Sequence, residues 1–133
     1  MKIKSLKYVI MYLVVWVLLL AYFWIGIRED DALFFSMLMI TILPIMTALL
    51  SYNVGKKETT SIRIITVIFS GIMFMLLPYL TFDLLNTLTF HHANYPEPLV
   101  ALMGAAVSIV FIAAGMLRNR KLNSNKINTD EME

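Results

Sequence analysis

The chain is 133 residues long, 59% hydrophobic and only 15% charged, with a net charge of +2 and no cysteine. A soluble domain of that size has too little interior to hide so much apolar surface, whereas lipid covers it directly. The charge balance is too small to point to nucleic acid, and the lack of cysteine excludes disulfides, thiolate metal sites, catalytic thiols and lipidated-cysteine anchors.

Four uncharged, apolar stretches predict membrane helices at about 8–27, 32–53, 62–82 and 98–117. About 20 residues, rising 1.5 Å each, cover the ~30 Å hydrocarbon layer. The first stretch follows Lys2, Lys4 and Lys7, as the core of a signal peptide follows its basic start. It is longer than the ~7–15 residues of a cleavable segment, and no small-x-small cleavage site follows it. Tyr22, Phe23 and Trp24 stand where cleavage would fall, so an uncleaved first helix is expected. Trp16 lies mid-helix, and its indole N–H needs a partner. It is expected to face another helix, with bulk packing as the plainer reading.

The first loop holds Arg28, Glu29, Asp30 and Asp31, and the second holds Lys56, Lys57, Glu58 and Arg63. The third connection holds Asp83 and Glu97 without Lys or Arg, and the tail begins with Arg118, Arg120 and Lys121. All but Arg28 of the 11 basic residues therefore fall on one side of a four-pass arrangement. The positive-inside rule then places both termini in the cytoplasm. Tyr8, Tyr12 and Tyr52 at inner ends, and Tyr22, Trp24 and Tyr79 at outer ends, fit the aromatic belts of a bilayer.

Helix 2 contains Pro44 and helix 3 contains Pro78. Each proline frees the carbonyl four residues earlier, on Ile40 and Phe74. In lipid a freed carbonyl needs a partner from a neighbouring helix or hydroxyl. Pro44 and Pro78 are candidate hinges, with a static kink as the plainer reading. The Leu-Pro-x-x-Thr likeness around the two prolines joins helices of opposite direction, so it does not mark a transporter-type repeat.

Helix 4 carries a shallow stripe of Ala101, Gly104, Ala105, Ser108 and Gly115, and helix 3 offers Ser70 and Gly71. Small residues four apart let backbones approach closely. The plain expectation is packing of helix 4 on helix 3 within the chain. The sharper one is contact with a second copy or with a membrane-protein partner. The many methionines read as adaptable packing residues, not copper ligands. No ionisable residue lies near the middle of any span, which argues against proton-coupled transport, pumping and voltage sensing. A passive pore lined by hydroxyls stays open, though Ser36, Thr41, Thr47, Thr66, Ser70 and Ser108 are too scattered for a filter.

The third connection, about 83–97, is the one outward segment long enough for a site. Leu84, Leu85 and Leu88 predict a short interfacial helix continuing helix 3, followed by an irregular stretch from His91 to Pro98. Pro98 suits the first turn of helix 4. Asp83, His91, His92 and Glu97 have metal-ligating atoms but no metal-site spacing, so they are weak candidates for a metal or pH-sensing site. The tail, 118–133, is polar and Asn/Lys-rich and predicts a cytoplasmic segment without structure of its own. Arg118, Arg120 and Lys121 there suit anionic headgroups.

No Ser/His/Asp constellation, Gly-rich phosphate loop, HExxH or CxxC is present, so neither an enzyme nor a cofactor is expected. The expected fold is all-α: an integral membrane four-helix bundle of residues 1–117 with both termini cytoplasmic. Residue usage rich in Ile, Lys and Asn suggests a bacterial origin, and hence the cell membrane. The expected function is a small non-enzymatic accessory, regulatory or immunity-type protein that binds another membrane component through helix faces. The alternative is a subunit of a small oligomeric transporter or channel.

Overall fold

The computed structural model describes residues 4–26 and 31–130, with side chains described to Lys126. All regular structure among them is helical. Helix α1 spans Leu6–Gly26, α2 Ala32–Lys57, α3 Thr60–Pro78, α4 Leu84–Phe90 and α5 Pro98–Asp130. A single π-helical turn, Tyr79–Asp83, joins α3 to α4. Four helical stretches are long and apolar enough to cross a membrane: Leu6–Gly26, Ala32–Lys57, Thr60–Phe90 and Pro98–Lys126. Ile27 and the charged positions Arg28, Glu29 and Asp30 lie outside the described residues, as do Lys2, Glu131 and Glu133.

The order of packing follows from side-chain size. Helix α5 lies against both α2 and α3, while α1 packs on α2 and on the π-helical turn. On α1 the buried residues are Tyr12, Trp16, Leu19 and Phe23. Their alternation of four and three puts them on one helical face. That face reaches α3 through long side chains, such as the Tyr12 ring 5.7 Å from that of Phe69. Towards the other end of α1 the Phe23 ring meets Phe35 at 5.1 Å and Phe82 at 5.2 Å, so rings from three segments fill that end of the bundle. Such tilted and edge-on pairs each contribute about 0.5–1.5 kcal/mol beyond the area they bury. Leu18, Ile40, Ile65, Leu102 and Val110 stay more than half exposed. In water that belt would be costly; in lipid it is the expected exterior.

Two differences from the sequence-based expectation stand out. Helix α2 runs unbroken through Pro44 and one turn past the predicted end, to Lys57. Helix α5 continues to Asp130, across the tail that composition alone leaves without structure. A helix already nucleated by its packed span adds each further residue at little cost, so polar Asn, Lys and Arg positions propagate it. In the third connection, α4 continues the α3 path as expected and residues 91–97 are irregular.

Candidate functional site

The small-residue stripe of α5 sits inside the chain, between α2 and α3. A Cβ on Gly104 would lie 2.6 Å from Cβ of Phe74, so the glycine leaves room for that ring. A Cβ on Gly71 would lie 2.9 Å from the Ala101 carbonyl oxygen and 3.7 Å from the Ala105 methyl. Ser70 is fully buried beside it, and its hydroxyl has no hydrogen-bond partner among the described residues.

The tighter half of the stripe faces α2. A Cβ on Gly115 would overlap the Tyr52 carbonyl oxygen, and one on Gly55 would fall 2.8 Å from Cα of Ile112. One helical turn before Gly55, the hydroxyls of Ser51 and Ser108 meet at 2.8 Å, both fully buried. Ser51 and Gly55 were not singled out from the sequence. Their four-residue spacing is the same small-xxx-small signal as on α5, and it extends back to buried Thr47.

Backbone groups around Pro78 are closed by side chains from near and far. The Thr81 hydroxyl donates to the Leu77 carbonyl at 2.7 Å and lies 3.1 Å from that of Pro78. The Trp24 indole donates to the Leu80 carbonyl at 3.1 Å, and the Trp16 indole to the Met73 carbonyl at the same distance. The two tryptophans on α1 therefore tie that helix to α3 and to the π-helical turn that continues it. The π-helical turn widens the backbone path directly after Pro78.

At this end, Asp83 and Glu97 share a pocket of about 140 Å³ with Met75, Pro78, Phe82 and Val100. The Asn94 amide reaches Asp83 Oδ1 at 3.4 Å. His91 ends α4 in the left-handed conformation, with φ 52°, and both it and His92 are exposed outside that pocket. Asn, Asp and His adopt that conformation more readily than bulkier side chains. Among the described residues no group of three or more His, Asp or Glu is placed to hold a metal ion.

The opposite end gathers the basic segments. The Ser5 backbone N–H donates to Glu58 Oε1 at 2.6 Å, pinning the N-terminal arm to the two-residue turn between α2 and α3. Lys7 and Lys57 place their ammonium groups 5.0 and 5.6 Å from the centre of the Tyr8 ring. Arg118 Nη1 donates to the Tyr52 hydroxyl at 2.9 Å. Arg63 Nη2 donates to the Gly55 carbonyl at 2.8 Å, closing one of the orphan acceptors in the last turn of α2. The N-terminal arm, the α2–α3 turn and the start of the α5 extension thus share one face of the bundle.

No protein-family model, curated protein sequence or solved structure matches this chain.

Proposed function

We propose that the protein is a non-enzymatic, multi-pass component of the cell membrane of a bacterium, acting by lateral helix-to-helix contact with another membrane component. The supporting observation is how the interior is used. Tyr12, Trp16, Phe23, Phe35, Phe74 and Leu77 fill it. The buried Ser51–Ser108 pair and the Trp16 indole spend their hydrogen-bonding capacity on tying helices together. An interior occupied in this way favours a protein that works through its outer surface over one that conducts along its axis.

The outer surface with most to offer is that of α1. Its exposed side chains include Ile10, Val14, Val17 and Leu18, and a shallow groove against α2 is lined by Val15, Leu18, Tyr22, Leu38 and Ile42. The small-residue stripe of α5, being occupied within the chain, is not available for a partner without unpacking α2. Both termini face the cytoplasm in this reading, supported by ten basic residues on one side of a four-pass chain.

A photo-crosslinking side chain at Leu18, in native membranes, should give one discrete product heavier than the monomer. The same group at Ile65 on α3 should not give it. Reproducible solute flux through liposomes holding only the purified chain would refute this reading in favour of a small oligomeric transporter or channel.

A further inference from the structure

At the basic end, a groove of about 290 Å³ opens between α3 and α5. Its mouth is formed by Thr60, Arg63 and Met116, and its floor by Ile64, Val67, Ile109, Ile112 and Ala113. Met116 and Ile109 are seven residues apart, so the groove follows α5 for about 10 Å into the apolar span. Its chemistry is split. A cation and the first turn of a helix stand at its mouth, and only apolar side chains line the rest.

Arg63 is unusual among the basic residues. It sits half-buried where the third span begins, and its Nε is buried without a partner among the described residues. Its bond to Gly55 fixes the guanidinium but uses one of five donors. The α3 N-terminus beside it has no side-chain cap on Thr59, so its free N–H groups and the helix dipole add positive potential at the same place. Charge complementarity calls for an anion, and the apolar floor calls for an acyl chain joined to it. A free phosphate would leave the floor empty.

We propose that this groove binds one anionic phospholipid of the adjoining leaflet, its phosphate on Arg63 and the first turn of α3, and one acyl chain along Ile64, Val67, Ile109 and Ala113. The bound lipid accepts from terminal N–H groups of Arg63 that Gly55 leaves free, and it fills the seam between α3 and α5. Basic pockets between membrane helices select anionic headgroups in this manner. The inference needs only that the helices are embedded in lipid. It holds whether or not α1 has a protein partner.

The test is native mass spectrometry of the full chain in neutral detergent, titrated with phosphatidylglycerol or with phosphatidylcholine of the same acyl chains. Wild type should retain one phosphatidylglycerol in clear preference to phosphatidylcholine. Arg63→Gln should weaken that retention about tenfold, as expected for loss of a charged hydrogen bond. Ala113→Phe, which fills the groove at an exposed position and leaves Arg63 in place, should do the same even if Arg63→Gln fails to fold. Lys126→Gln removes an equal charge about 15 Å farther along α5 and should leave retention unchanged. Equal retention of the two lipids, undiminished retention in Ala113→Phe, displacement of the lipid by inorganic phosphate, or a lipid-free dimer with the groove closed would each overturn the proposal. Failure of the wild type to retain phosphatidylglycerol while the Leu18 crosslink persists would refute this site and leave the proposed partner contact standing.

Discussion

Gly55→Ala is the smallest change that should break the bundle at its tightest point. The added methyl would overlap the Ile112 carbonyl oxygen and lie 2.8 Å from Cα and 2.9 Å from the carbonyl carbon of the same residue. Carbon atoms normally meet at about 3.5–4.0 Å, so α2 and α5 must separate by roughly 1 Å there. The three nearest atoms are all backbone, so no side chain can swing aside to relieve them. Separation by that amount would also stretch the Ser51–Ser108 bond from 2.8 Å past the range in which it contributes. Overpacking of this kind costs about 1–3 kcal/mol, and a buried hydrogen bond between membrane helices about 0.6 kcal/mol. The sum, about 1.6–3.6 kcal/mol, lowers the folded-to-unfolded ratio by about 15- to 450-fold. Reversible unfolding of the purified protein in mixed detergent and SDS micelles measures it. Gly26→Ala is the matched control, because its new methyl meets only the movable Tyr22 ring, at 3.1 Å. It should change stability by less than about 0.5 kcal/mol. A Gly55→Ala protein as stable as wild type would refute the close α2–α5 contact.

Trp16→Phe keeps most of the ring but loses the indole bond to Met73, and should cost about 0.6–1.7 kcal/mol in the same assay. A loss below 0.3 kcal/mol would mean that bulk alone holds α1 to α3. Glu58→Ala leaves the Ser5 N–H buried without its acceptor and should cost about 1–3 kcal/mol, with faster hydrogen exchange confined to the first turn of α1. Unchanged exchange there would show that the arm is held by other contacts. Ser70→Ala removes a buried hydroxyl that has no partner among the described residues, so stability should hold or rise by about 1 kcal/mol. A fall of more than 1 kcal/mol would reveal a partner for that hydroxyl.

The spans were legible in the sequence because their signal is solvent-scale: long runs without charge, bounded by Lys, Arg, Asp and Glu. The α4 continuation and the irregular stretch before Pro98 were legible from Leu84, Leu85 and Leu88 and from two closely spaced prolines. What was not legible depends on which helices meet. Ser51 and Gly55 carry the same spacing as the α5 stripe, but Pro44 is the more conspicuous feature of that helix and drew the structural expectation to itself. The acceptor for each α1 tryptophan lies more than 50 residues away, on carbonyls whose accessibility depends on the path around Pro78. The π-helical turn is a compromise between that proline and the packing of Phe82 on Phe23 and Phe35, and no local pattern announces it. The extension of α5 was missed for the converse reason. Composition weighs whether a segment can fold alone, whereas 118–130 starts from a helix already formed. Of the loop candidates, Asp83 and Glu97 share a pocket while His91 and His92 are exposed and do not line it, a division that adjacency in sequence does not convey.

The central claim is a four-pass chain whose N-terminal arm, α2–α3 turn and α5 extension share one side of the membrane. The chain has no cysteine, so single cysteines report without background. Lys4→Cys, Thr59→Cys, His92→Cys and Asn123→Cys place one thiol at each of four exposed positions, in the N-terminal arm, the α2–α3 turn, the third connection and the α5 extension. In sealed, right-side-out cells an impermeant maleimide should label only His92→Cys, and permeabilisation should expose the other three together. Labelling of Lys4→Cys, Thr59→Cys or Asn123→Cys in sealed cells would contradict the account.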